Sequence, residues 1–278
     1  SDIRRSVLNA GGTRVLAQVL RQHRMRADVQ CRVLQAVALL SKQHMGCTTR
    51  LFLGGFLDDI LNVMKTSRRL GGHAGRVVSE FALQAEAVTV LKHLAWAGVV
   101  QQVAIVRADA VPMILGVLLR GVTELKHHAV QPMPQQDMQN YDLHIRLVGE
   151  AVGVLEHLAT AELGQTTILN HNGIDVAHSI LEWASTRASV PQRERQRFAA
   201  NSELQAGVFK LFFNICVHRT ARVQLNAKLP YFRDLRDGIV QSSDAVATQE
   251  VSSQKARSLR VASTVKYWVD RLEMRLKT

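Results

Sequence analysis

The chain has 278 residues, 47% apolar but only 5% aromatic, with a net charge of +12 and a pI near 10.3. That length suits one elongated repeat domain or about two ordinary ones, and its core must come from Ala, Val, Leu and Ile. No window of about 18 apolar residues is free of charge or Pro, so no membrane span is predicted. Cys31, Cys47 and Cys216 form no CxxC pair and no disulfide framework, which points to an intracellular, reducing compartment. The opening Ser1-Asp2-Ile3-Arg4-Arg5 is not a secretory signal. The basic balance favours acidic partners: nucleic acid, an acidic protein surface or an anionic membrane face.

In chain order, Val7 to Leu20 (VLNAGGTRVLAQVL) reads as a short helix, a Gly turn and a second helix. Arg32 to Ser41 (RVLQAVALLS) follows as a longer helix. Leu51 to Leu57 (LFLGGFL) repeats the turn. Beyond Lys65 to Glu80, the residues Leu83, Ala87, Val90, Leu91 and Leu94 share one helical face. Val106 to Pro112 (VRADAVP) is a third turn, with Pro at a helix start where its missing N–H costs little. Beyond Gly121 to Asp142, Leu147, Ala151, Val154, Leu155 and Leu158 form the equivalent face. Leu169 to Ile174 (LNHNGI) is a fourth turn, and Gly207 to Cys216 (GVFKLFFNIC) a further long helix. Gly, Asn or Asp at these turns permits a positive φ and a sharp reversal. Leu259 to Leu276 has helical apolar spacing and is expected to be a terminal cap or degenerate copy.

The long helices are copies of one another. Glu86 to Ala97 reads EAVTVLKHLAWA and Glu150 to Ala161 reads EAVGVLEHLATA, identical at nine of twelve positions. Arg32–Ser41 and Gly207–Cys216 are weaker copies. Each copy exposes an oily face that a neighbouring copy must cover, as in a solenoid.

A Gly-containing turn, an apolar helix and then a long helix ending in V-L-x-H-L-A resembles the armadillo repeat, with HEAT repeats as the nearest competitor; the Gly turns favour armadillo. The resemblance covers nearly the whole chain and implies an all-α, right-handed superhelical solenoid over residues 1–278, one domain of about four repeats and a terminal cap helix near 259–276. The landmarks lie further apart than the roughly 40–47 residues usual for such repeats. The excess falls between second and third helices, at 65–80, 121–142, 187–202 and 241–258, as long loops or extra helical turns.

No catalytic constellation, cofactor motif or metal-ligand spacing stands out, so no enzyme, cofactor or metal is expected. Gly71 to Gly75 (GGHAG) lacks the strand and Lys-Ser/Thr of a phosphate cradle and reads as a loop. His127, His128, His144, His171 and His178 show no ligand spacing with Cys or carboxylates.

In the armadillo family, third helices line a concave groove, and a recurrent Asn grips the main chain of an extended peptide. The matching positions here are His93, His157 and Asn214, with Leu39 breaking the series in the first copy. One turn earlier, where peptide-binding importin relatives carry Trp, stand Gln35, Thr89, Gly153 and Lys210. The missing Trp array and the positive charge argue against a basic cargo. Alternatively, His93 and His157 satisfy groups of adjacent helices. A histidine ladder would change its grip as pH falls through about 6.5. Three ladder bonds at about 0.5–1.5 kcal/mol each give about 4 kcal/mol at most, a millimolar affinity. Further anchors are therefore needed; basic residues such as Arg68, Arg69, Arg257, Arg260 and Lys266, the last beside Tyr267 and Trp268, are candidates. The expected function is a protein-binding scaffold within a larger assembly, holding an acidic or mixed peptide or protein partner. The rival is an RNA-binding subunit of a ribonucleoprotein, which the non-aromatic groove positions disfavour as a base-by-base reader.

Overall fold

The computed structural model describes the backbone of residues 2–71, 79–128, 135–185, 195–247 and 252–277. Its helices are α1 (Asp2–Asn9), α2 (Gly12–Gln22), α3 (Ala27–Ser41), α4 (Met45–Leu53), α5 (Phe56–Gly71), α6 (Glu80–Trp96), α7 (Val99–Arg107), α8 (Ala110–His128), α9 (Gln135–Leu158), α10 (Glu162–Asn170), α11 (Gly173–Ser185), α12 (Arg195–Ile215), α13 (Arg219–Ala247) and α14 (Ser252–Lys277). No strand occurs among the described residues.

The helices fall into triads: α1–α3, α4–α6, α7–α9 and α10–α12. Each short first helix ends in a left-handed residue that reverses the chain into the second. These are Gly11 (φ 80°), Gly55 (φ 79°), Asp109 (φ 57°) and Asn172 (φ 58°), the residue types that tolerate this region best. Caps set other boundaries. Ser79 Oγ accepts from the Ala82 N–H at 3.1 Å to start α6, and His44 Nδ1 accepts from the Cys47 N–H at 3.1 Å to start α4, each satisfying a donor the helix leaves open. The fifth unit departs from this pattern. There α13 runs unbroken through Pro230, at the cost of one backbone hydrogen bond, and packs on α14 in place of a helix pair.

Third helices stack in sequence, α3 on α6, α6 on α9, α9 on α12 and α12 on α14, while α2, α5, α8 and α11 back them. The apolar positions at helical spacing are buried in both copies, Leu83 to Leu94 and Leu147 to Leu158. In α6 the burial goes further. Every residue from Leu83 to Leu91 is buried, Gln84, Glu86 and Thr89 included, because α6 is held between α3, α5 and α9. Each fully buried Leu or Val contributes about 1.5–3 kcal/mol, so successive layers hold each other. The few aromatics concentrate under α11–α13, where Phe209, Phe212 and Phe232 are fully buried with centroids 5.4–6.4 Å apart.

Within the described residues, the excess length between second and third helices is helical. α5, α8 and α13 run on into the expected insertions, and α9, α12 and α14 begin inside them. The stretches 72–78, 129–134, 186–194 and 248–251, with most of the GGHAG motif, lie outside the described residues. The segment expected as a cap is part of α14, which takes the place of a fifth third helix against α12.

Candidate binding groove

The layer of third helices presents a polar seam opposite its backing helices. At its N-terminal end, Gln35 Nε2 on α3 donates to Glu86 Oε1 on α6 at 3.2 Å. Arg146 on α9 grips the same carboxylate in fork geometry, Nη1 to Oε1 and Nη2 to Oε2 both at 2.9 Å, and Nη2 also reaches Thr89 Oγ1 at 3.3 Å. Glu86 is 6% exposed, and such a charge is kept in the interior only by paired donors. The Glu86 carboxylate and burial of its own stem act oppositely on Arg146, and the hydrogen bond to Glu86 prevails, holding it firmly protonated.

The next step of the seam exchanges charge. Lys92 on α6 pairs with Glu150 on α9 at 2.5 Å, and Glu156 on α9 pairs with Lys210 on α12 at 3.5 Å. Lys92 and Glu156 occupy the same place in the repeated motif, LKHLA against LEHLA, so the copies differ in sign where their partners do. Gly153 belongs to this arrangement, since a Cβ there would lie 2.6 Å from the Lys92 stem that crosses it. Burial pushes the Glu156 carboxyl up, against the pull of Lys210.

The three ladder positions are half-buried and behave differently. His93 Nδ1 lies 2.8 Å from Ser41 Oγ on α3. Asn214 Nδ2 donates to the Glu156 carbonyl on α9 at 3.3 Å. Among the described residues, His157 makes no side-chain hydrogen bond. Burial, reinforced by Lys92, depresses the pKa of His93, and burial with Lys92 and Lys210 does the same at His157. Both imidazoles are therefore neutral at pH 7, and any change of grip falls below the ordinary histidine range rather than at about 6.5. Leu39 is 67% exposed and offers no polar group.

The positions one turn earlier are partly committed to the seam: Gln35 to Glu86, Thr89 to Arg146 and Lys210 to Glu156. Of the basic patch, Lys266 is exposed on α14; the side chains of Arg68, Arg69, Arg257 and Arg260 lie outside the described residues. Sequence reasoning missed Glu86, Lys92, Arg146, Glu150 and Glu156 as groove groups. The Lys-to-Glu change within an otherwise matched motif was the available signal.

The seam ends in a cationic and aromatic cluster between α12 and α14. The Arg271 guanidinium lies 4.8 Å from the Phe213 ring centre, 5.5 Å from that of Tyr267 and 5.8 Å from that of Trp268, and Nη1 donates to the Tyr267 hydroxyl at 2.8 Å. The Arg275 guanidinium lies 4.4 Å from the Phe213 ring centre, and Lys210 Nζ is 5.7 Å from that of Trp268. No group of His, Cys, Asp and Glu among the described residues is arranged to hold a metal ion, and no single helix among them is long and apolar enough to cross a membrane.

No family model and no curated protein matches this chain. Among solved structures it is similar to a designed armadillo repeat protein in complex with the peptide (KR)4, with 95% of this chain and 85% of that chain covered, a TM-score of 0.54 and 11% identity. It is also similar to computationally designed armadillo repeat proteins for modular peptide recognition, with 95% and 86% covered, a TM-score of 0.53 and 10% identity. With left-handed turns at the first-to-second helix junctions, third helices stacked in one layer and this backbone likeness over nearly its full length, the chain has the armadillo-like repeat fold.

Proposed function

We propose that this protein is a non-catalytic scaffold that holds an extended peptide segment along the face of its third helices, as a subunit of a larger assembly. The observation that carries this reading is His157. It stands midway along the seam, half-buried, with no side-chain hydrogen bond among the described residues, while His93 and Asn214 on either side reach back to the preceding third helix. A neutral imidazole offers one donor and one acceptor, which suits a peptide N–H or C=O. Peptide binding by the designed structural neighbours supports the same direction.

The test is selection from a random displayed-peptide library against the full chain, followed by titration of the selected peptides. His157→Ala removes no internal hydrogen bond seen here, so it is expected to leave the melting curve unchanged and weaken binding about two- to tenfold. Selection that yields no binder, or binders indifferent to both His157→Ala and Asn214→Ala, overturns the groove reading. If RNA copurifies and is released by raising salt, the ribonucleoprotein reading gains instead.

A further inference from the structure

We infer that the α12–α14 end of the groove is a docking subsite for the acidic side chains of a bound peptide, with Arg271 and Arg275 receiving Asp or Glu carboxylates. This rests on the groove reading and names the partner chemistry at one place in it.

Charge segregation along α14 makes the case. Its acidic residues Asp270 and Glu273 turn toward α13 and the helix end, where they pair with Arg236, Arg233 and Lys277. Its residues Trp268, Arg271 and Arg275 turn the other way, onto Phe213 of α12. On that side Lys210 of α12 pairs with Glu156 of α9. Arg271 has no carboxylate partner among the described residues. Its interactions are the Tyr267 hydroxyl and three aromatic rings.

Stacking changes what such an arginine can do. A guanidinium laid against aromatic faces is fixed in plane, so less freedom is lost when it meets a ligand. With Nη1 donating to the Tyr267 hydroxyl, its other N–H groups keep the planar arrangement that matches a carboxylate. Upstream, Lys92, Arg146 and Lys210 are already answered by Glu150, Glu86 and Glu156, whereas Arg271 meets a hydroxyl and aromatic rings. Phosphate backbones gain most from a long track of cations, whereas a short cluster beside main-chain-binding groups at His157 and Asn214 fits a peptide carrying a few carboxylates. The aromatic rings also give apolar cover to the peptide side chains between them.

The experiment is fluorescence anisotropy with the full chain and labelled twelve-residue peptides of alternating Glu-Ser, Gln-Ser and Lys-Ser, together with a twelve-nucleotide oligouridylate. The Glu-Ser peptide is expected to bind at least tenfold tighter than Gln-Ser, and Lys-Ser to bind weakest. R271Q with R275Q is expected to weaken Glu-Ser about tenfold or more, the loss of charge-assisted bonds at a half-exposed site. R271K with R275K keeps the charge but loses the planar fork and is expected to fall between. R107Q, which removes one exposed charge on α7, outside the layer of third helices, should change affinity less than twofold. Thermal melts of each variant by circular dichroism verify folding.

No measurable Glu-Ser binding, equal affinity for Glu-Ser and Gln-Ser, or an unchanged R271Q/R275Q variant overturns the proposal. Tighter binding of oligouridylate that is lost in the same variant overturns the occupant and assigns the cluster to nucleic acid. If the acidic preference is absent while library-selected peptides still depend on His157, the subsite fails and the groove reading stands. If neither class of peptide binds, both fail.

Discussion

Cutting the Glu86–Arg146 link is expected to loosen the contact between α6 and α9, and the structure allows its size to be worked out. Two N–H donors of Arg146 meet the two oxygens of Glu86 at 2.9 Å. A charge-assisted bond of this kind nets about 1.5–3 kcal/mol when desolvated. The Arg146 side chain is 44% exposed, however, and that of Glu86 7%, so water competes on one side only. Reducing each bond to about 0.5–1 kcal/mol gives a coupling of about 1–2 kcal/mol. Arg146→Met alone should cost more, about 2–3 kcal/mol, because it leaves a buried carboxylate with only the Gln35 amide at 3.2 Å. Glu86→Gln should cost about 1–2 kcal/mol, since it keeps an acceptor for Arg146.

The assay is a double-mutant cycle of Glu86→Gln and Arg146→Met by urea denaturation. Stacked repeats can unfold piecewise, so hydrogen exchange read over α6 and α9 separately should accompany it. The double variant should be less destabilised than the sum of the singles by the coupling energy, and protection should drop in α6 and α9 before α12. A coupling within about 0.3 kcal/mol of zero, the ordinary limit of additivity, with both singles destabilising would refute the view that this seam joins the repeats.

Other expectations follow from particular residues. His93, His157 and His178 all have pKa values lowered first by burial, so the unfolded chain takes up protons near pH 6.5 while the folded one resists. Stability should therefore fall as pH drops below about 6.5, and His93→Gln with His157→Gln should flatten that slope in urea titrations from pH 8 to 5. Gly164→Ala would place a Cβ 2.0 Å from the Leu158 carbonyl oxygen; a loss of more than about 2 kcal/mol is expected, measured as a lower urea midpoint. Gly153→Ala meets only the flexible Lys92 stem, so relief of a helical glycine, about 1 kcal/mol, should offset the displaced Lys92–Glu150 pair and leave the midpoint nearly unchanged. Cys31, Cys47 and Cys216 are buried, with thiols pushed up by burial, so iodoacetamide at pH 8 should label them only after denaturant is added.

Local chemistry made the repeat architecture legible before any coordinates. A left-handed turn favours Gly, Asn or Asp, and residues 11, 55, 109 and 172 supplied them at each first-to-second junction. An oily face at helical spacing must be covered whatever covers it, and the matched faces of α6 and α9 are indeed buried. Where the periodic signal weakened, at the segments between second and third helices, the sequence left loops and added helical turns undivided, because polar, charged residues serve a solvated helix as well as a loop.

The groove chemistry depended on partners far along the chain. Glu86 meets Gln35 and Arg146, 51 and 60 residues away, and nothing near Glu86 in sequence distinguishes a carboxylate locked under a guanidinium from one in water. The motif aligned His93, His157 and Asn214, yet only packing ties the first to Ser41 and the third to the Glu156 carbonyl while leaving the second without a side-chain bond among the described residues. The same division holds on α14. Its run of basic and aromatic residues was visible as composition, but which cations face acids and which face rings was decided by α12 and α13 closing on opposite sides of the helix. Short-range backbone preferences and periodicity are written residue by residue; charge pairing and stacking exist only once distant helices share a surface.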